Sequence, residues 1–396
     1  MNNFTDEQRI LVCVARRNLG SDERAELRAL SQKTIDWESL CQAATTHGLL
    51  PLLNKHLAQH ASDLVPSQIQ VRLKQESLAN ARTMLNFVGK LSQVCRLFQL
   101  NEIPVAVFKG PVLAEIAYGD LALRQAGDID LLIPIEDFGR AKSLLGSLGY
   151  RMFPDLNNSQ ENSHLANHCE IQFVRDDSNA VLDLHWSLAP RTVACRVPAS
   201  EILGRLQSVE VSGISVPTFS DEDLVIYLAM HGAKHLWPEL ECIASLAELL
   251  RSKKHINWAI LRERAARSRT KRMLALALQL VHLFYEQQSP VEVITELDPD
   301  GRMKTLAREI RDNIFTPRPV RPDSTESNLY NFKTSDYKID ALNSLLRATF
   351  LPTLSDWEAL SLPSSLHALY FGFRPLRLSK TYSAQLWRKI RQKPIA

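Results

Sequence analysis

The stretch that decides the fold is Val105 to Ile133, VAVFKGPVLAEIAYGDLALRQAGDIDLLI. It divides into an apolar run, a Lys109-Gly110 turn, a helix opening at Pro111, a loop carrying Arg124, and a second apolar run holding Asp128 and Asp130. Ile103 to Phe108 is β-branched and aromatic, as a buried strand requires. Pro111 suits the first turn of a helix, where its missing N–H would be unpaired anyway. In a strand, residues i and i+2 project from one face. Asp128 and Asp130 therefore point together, roughly 6 to 7 Å apart along the strand, while Ile129 and Leu131 point into a core. Two carboxylates so placed suit one or two shared divalent cations.

Working outward, Ala180 to Leu188, AVLDLHWSL, alternates cleanly. Val181, Asp183 and His185 share one face, and Leu182, Leu184 and Trp186 the other. His164 to Val174 is the expected hairpin partner, joined through the polar turn Arg175 to Asn179. Asp183 on a neighbouring strand completes a carboxylate triad with Asp128 and Asp130. Gly110 opens a helix, so backbone there can approach a phosphate at the positive end of the dipole. Lys109 and Arg124 are cations on either side of that helix, placed to neutralise phosphate charge. The spacing is neither a P-loop nor a dinucleotide fingerprint, since neither G-x-x-x-x-G-K-[ST] nor G-x-G-x-x-G occurs. The set suits phosphoryl or nucleotidyl transfer, which needs clamped cations and positive charge more than covalent help.

The chain has 396 residues, 45% hydrophobic and 23% charged, with a net charge of +3. That balance does not argue for a polyanionic partner. The six cysteines form no C-x-x-C pair, so they propose neither a zinc site nor a disulfide framework. The N-terminal segment lacks the basic start and apolar core of a signal peptide, and no apolar run is long enough to span a bilayer. A cytoplasmic location is the expectation.

The expected class is α+β: a small mixed-sheet core flanked by largely helical regions. Residues 1–100 are helical, with one long helix over 66–98 whose buried stripe is Ile69, Leu73, Leu78, Met84, Phe87, Val88, Leu91 and Leu97. Nothing there has catalytic character; His47 and His56 are surface or helix-packing residues. Residues 101–215 form the α/β core, with a small hairpin over 207–216. Residues 216–315 are helical, with helices over 221–236, 240–252, 257–267, 270–286 and 301–314. Residues 316–338 are a proline-rich linker. Residues 339–396 form an amphipathic tail with Arg374, Arg377, Lys380, Arg388, Lys389, Arg391 and Lys393. The tail is either solvated or touches an anionic surface or nucleic acid. On the helix near 231, His231, Lys234 and His235 share a face without the glutamate of a zinc H-E-x-x-H motif. They line the cleft or pack the helix. His185 orients a phosphate or Asp183, or closes a buried hydrogen-bond network.

Phe108-Lys109-Gly110, Leu113, Tyr118, Arg124 and Asp128-Ile129-Asp130-Leu131-Leu132 resemble the bacterial "uncharacterised nucleotidyltransferase" family, of the DNA polymerase β-like superfamily. The resemblance continues in Leu182-Asp183-Leu184-His185-Trp186, in His231 to Trp237, HGAKHLW, and in Leu246 to Leu250. It implies Asp128, Asp130 and Asp183 as ligands of Mg²⁺ or Mn²⁺, with Asp183 as ligand or base. It implies Lys109, Gly110 and Arg124 at the phosphates of an NTP. Two departures stand out: Lys109-Gly110 replaces the superfamily's Gly-Ser turn, and Ser245 stands where relatives tend to carry an aspartate. The implied reaction moves NMP from an NTP to an acceptor hydroxyl or phosphate on a small molecule, sugar phosphate, peptide, protein or RNA end. The alternatives are a degenerate nucleotide-binding or scaffold protein, and a toxin-like member acting on tRNA or protein.

Overall fold

The computed structural model describes residues 4–176, 178–253, 256–286, 289–316 and 325–391. A five-stranded sheet in the order β1-β2-β5-β4-β3 contains β1 (Ala106–Val107), β2 (Asp128–Leu132), β3 (Arg151–Phe153), β4 (Glu170–Arg175) and β5 (Ser178–His185). β2 and β5 are parallel, and their register sets Asp130 beside Asp183 and Leu132 beside His185. β4 runs antiparallel to β5 and sets Gln172 beside Asp183 and Glu170 beside His185. Residues abreast in a ladder share a face. One face therefore carries Asp128, Asp130, Asp183, His185 and Glu170. The other carries Ile129, Leu131, Leu182, Leu184, Ile171 and Phe173, all buried. The alternation legible in the sequence thus becomes a sheet with an acidic side and an apolar side. The hairpin partner starts later than expected: His164 belongs to the helix Asn158–Asn167, and only Glu170 onward is strand. A small hairpin of β6 (Gln207–Val211) and β7 (Ile214–Thr218) forms a separate two-stranded sheet, with β7 next to β1.

Helices flank this core on both sides in sequence. Among the described residues five α-helices precede it, the last being Ser67–Leu100. Its buried side includes Ile69, Leu73, Met84, Phe87, Val88 and Leu91 as expected, but Leu78 is exposed. Leu78 lies roughly 140° around the helix from Leu73 at about 100° per residue. The inward position there is Asn80, whose Nδ2 donates to the carbonyls of Ala122 and Arg124 at 3.0 and 3.1 Å. After the core come Asp221–Lys234, Leu240–Ser252, Trp258–Ser268, Lys271–Tyr285 and Arg302–Asn313, plus the short Val291–Leu297 that periodicity did not reveal. His47 ties the first block to the second: its Nδ1 accepts from the Leu240 N–H at 3.2 Å, and its carbonyl from the Glu241 N–H.

Most of the proline-rich stretch, 317–324, lies outside the described residues, and Thr325–Thr334 is helical. The tail differs from expectation at two positions. Arg374 and Arg377 do not present their charge outward; both bind Asp356, at 2.8 and 2.6 Å, and Arg374 is buried. The side chains of Arg388, Lys389, Arg391 and Lys393 lie outside the described residues. No described helix is long and apolar enough to cross a membrane.

Candidate active site

Asp130 is the centre of the acidic face. Its Oδ1 accepts from Lys109 Nζ at 2.9 Å and from His185 Nε2 at 3.1 Å. Burial alone would raise its pKa, but those two cations outweigh it and hold the carboxyl well below its ordinary value. His185 is fully buried, which alone would lower its pKa. The hydrogen bond to Asp130 and the charge of Glu170 raise it to about 10. Its Nδ1 lies 3.2 Å from Glu170 Oε2, a charge contact without hydrogen-bond alignment. Glu170 also faces Lys234 Nζ at 3.6 Å, and despite burial His185 and Lys234 bring its pKa down to about 2. The run Lys109, Asp130, His185, Glu170, Lys234 is thus a chain of alternating charge across the sheet. His185 therefore closes a buried network, and Lys109 is aimed at a carboxylate.

Asp183 is compensated only in part, by the charge of His185. Burial, then Asp128 and Asp130, push its pKa up to about 7. Asp128 is raised too, by burial and then by Asp130. Asp183 Oδ1 and Asp130 Oδ2 are buried and have no hydrogen-bond partner among the described residues. Asp130, Asp183 and His185 each offer an atom within 4.8 Å of the others. Unpartnered buried oxygens on adjacent carboxylates are the hard donor set a divalent cation takes. The residues present fit a divalent cation.

The raised Asp183 carboxyl has a consequence for stability. Between its ordinary 3.8 and about 7, the folded state holds a proton the unfolded state lacks, so stability falls as pH rises through that window. Asp183→Asn mimics the protonated form. Without divalent cation, the variant is expected to be more stable than wild type at pH 8, on the order of 4 kcal/mol, with the gap closing near pH 4. Equal offsets at both pH values in chemical denaturation would refute this origin.

Asp128 lines a cavity of about 470 Å³ together with Lys109, Arg124, Gln125, His231 and Glu241, and with Thr45, Thr46 and Gly48 from the N-terminal block. Gly110 begins the helix Gly110–Tyr118 at φ +53°, and a Cβ there would meet the Asp128 carbonyl at 3.1 Å. Only glycine lets the helix start sit this close to β2. Arg124 is held on the opposite wall. Its Nε donates to Glu241 Oε1 at 2.7 Å, an oxygen that also accepts from Ser245 Oγ, and Tyr118 OH lies 3.3 Å from that hydroxyl. Glu241 and Ser245 are one helical turn apart, so the serine braces a carboxylate on its own helix.

His231 lines the cavity, with Nδ1 3.4 Å from Tyr227 OH, and burial then Lys109 hold its pKa well below the ordinary value. Lys234 reaches Glu170, while His235 is exposed. Gly232, between them, leaves room for Trp237, whose ring atoms would lie 2.5 Å from a Cβ. Sequence reasoning missed Glu170 and Glu241. Glu170 was findable, because it alternates in register with Ile171 and Phe173; nothing local to Glu241 points to Arg124.

No curated protein matches this chain. Among solved structures, the antibiotic-resistance factor ANT(2″)-Ia is similar over 46% of this chain and 91% of its own, at 16% identity and a TM-score of 0.31. That likeness is too loose to carry residue roles across. The family described as uncharacterised nucleotidyltransferase matches residues 33–286, spanning the five-stranded sheet, the acidic face and the cavity wall. The chain belongs to that family.

Proposed function

We propose that this chain is a metal-dependent nucleotidyltransferase, moving NMP from an NTP to an acceptor with release of pyrophosphate. The observation that carries this reading is the pair of buried, unpartnered oxygens, Asp130 Oδ2 and Asp183 Oδ1, on the sheet face next to Asp128 and its cavity. Family membership supports the reaction class. Asp128, Asp130 and Asp183 would hold Mg²⁺ or Mn²⁺, which when bound neutralises charge on the attacking and leaving oxygens.

The chain's own groups do the rest. Asp183 is either the third ligand of that cation or, where the cation leaves its carboxylate free, the base that takes the proton of an acceptor hydroxyl. Lys109 and Arg124 face the cavity with positive charge for phosphate oxygens, and Glu241 fixes the plane of Arg124 through its Nε edge. Gly110 keeps the helix start close, so backbone N–H groups there can meet a phosphate. His185 sets Asp130 in place, a positioning role, and His231 closes the wall. The acceptor is a hydroxyl or phosphate on a small molecule, sugar phosphate, peptide, protein or RNA end.

One observation favours a second reading, a nucleotide-binding protein without transfer: Lys109 and His185 already neutralise Asp130 with no cation. Thermal shift separates the two. Under the enzyme reading, an NTP with Mg²⁺ at a hundred times its Kd adds about 2.7 kcal/mol, and chelation removes most of it. Stabilisation indifferent to Mg²⁺ supports the second reading; none with any NTP sinks both.

A further inference from the structure

A second cavity, of about 300 Å³, shares no lining residue with the cavity of Asp128. It lies among the segment after β5, the short helix Ala199–Leu203 and the helices Asp221–Lys234 and Trp258–Ser268. Part of its wall is apolar, with Leu188, Ile202 and Ile226 buried there. The polar part is mostly guanidinium: Arg196, Arg205, Arg264 and Arg267 line it, against the carboxylates of Glu201 and Asp223. Four cations facing two anions leave an excess of two positive charges.

The carboxylates do not absorb this charge. Asp223, 3% exposed, accepts Arg205 Nε at 2.6 Å and Nη2 at 2.9 Å on its two oxygens. A carboxylate held in that bidentate fork leaves little for a second guanidinium. Arg264 Nη1 shares the oxygen that Nε uses, at 3.0 Å, and donates to the neutral Ser220 hydroxyl at 2.6 Å. Glu222, outside the lining, approaches the same Nη1 only to 3.8 Å. Glu201 is looser still: Arg205 Nη1 and Arg267 Nη2 stand 3.5 and 3.6 Å from its oxygens, charge contacts rather than close hydrogen bonds. Arg196 reaches Asp340 at 3.4 Å, a carboxylate that already holds Arg269. Among the described residues, Arg196, Arg264 and Arg267 therefore keep guanidinium N–H groups without a close acceptor. Excess positive charge facing an apolar wall in a cavity of this size suits a small organic anion. Forks converging from a loop and a helix suit the oxygens of a phosphate, and a phosphomonoester carries close to the two negative charges that the lining lacks.

We propose that this cavity binds a small phosphomonoester, with its phosphate among Arg196, Arg264 and Arg267 and its apolar body on Leu188, Ile202 and Ile226. This is independent of the chemistry at Asp130. The test is calorimetric titration of the full chain, without Mg²⁺ or NTP, with phenyl phosphate, inorganic phosphate and phenol in turn. Phenyl phosphate is expected to bind saturably and about tenfold more tightly than inorganic phosphate, because its ring buries apolar surface. Phenol, without the phosphate, is expected not to bind. The Arg267 side chain is 65% exposed, so Arg267→Glu keeps the melting temperature. It is expected to weaken phenyl phosphate binding roughly tenfold or more, through loss of a charge-assisted hydrogen bond. Thr46→Glu, which adds the same charge at an exposed position lining the Asp128 cavity, is expected to leave binding unchanged. Absence of saturable binding overturns the proposal, as does equal affinity for phenyl phosphate and inorganic phosphate. Wild-type affinity in Arg267→Glu also overturns it, and a loss in Thr46→Glu would then put the phosphate beside Lys109 and Arg124.

Discussion

Asp130→Asn is expected to lower nucleotidyl transfer by three orders of magnitude or more, about 4 kcal/mol of transition-state stabilisation. The size follows from what the carboxylate does at once. Its Oδ1 takes Lys109 and His185, and its Oδ2 is buried and unpartnered beside Asp183. Asparagine keeps an acceptor for Lys109 and His185, so the variant still folds, but the charge that would bind a divalent cation is gone. A readout separates this from a loss of structure. Without the Asp130 charge, the His185 pKa falls from about 10 toward the ordinary histidine range, visible by NMR titration of the ring. If transfer survives, or the His185 titration stays in place, Asp130 is not the centre described here.

The second large effect is on stability. Asp356 is fully buried and accepts from Arg374 Nη1 at 2.8 Å, Arg377 Nε at 2.6 Å, and the N–H and Oγ of Thr353 at 2.8 and 2.9 Å. Arg374 Nε also donates to the Ala348 carbonyl at 2.8 Å. One carboxylate therefore joins the helices Lys338–Phe350, Leu354–Ala359 and Tyr370–Arg391. Asp356→Ala leaves the buried Arg374 charge without a counter-ion, which typically costs about 3–5 kcal/mol. The loss is expected to be regional. Hydrogen exchange in 338–380 accelerates, while the sheet and the cavity wall keep their protection and transfer is retained. A change below about 1 kcal/mol in chemical denaturation would mean that Arg374 finds water or another acceptor.

The acidic face was legible in the sequence because its information is local. Period two in DIDLL and AVLDLHW separates the carboxylates from the apolar residues, and the register of β2 on β5 carries that separation into the fold. The longer helices between 221 and 314 were legible for the same reason, whereas the short Val291–Leu297 and Thr325–Thr334 were not. The partnerships were not. Arg124 and Glu241 are 117 positions apart, and Thr45, Thr46 and Gly48 reach the cavity from a segment whose His47 docks on the Leu240 helix. Periodicity showed that the tail is amphipathic but not which way it turns. For Lys338–Phe350 the burial of Asp340 by Arg269 and Arg196 decides, against the hydrophobic pattern. Arg374 and Arg377 looked like surface charge because Asp356 lies 18 and 21 residues away, outside any one helix.

The central claim is transfer of a nucleotidyl group by this acidic face. Its most direct test is incubation of the protein with Mg²⁺, a cell extract and each NTP labelled in turn at the α- or the γ-phosphate. The account predicts that α-label becomes attached to an acceptor and γ-label leaves as pyrophosphate, and that Asp128→Asn with Asp130→Asn abolishes both. Attachment of γ-label, or identical labelling by wild type and the double variant, would contradict it.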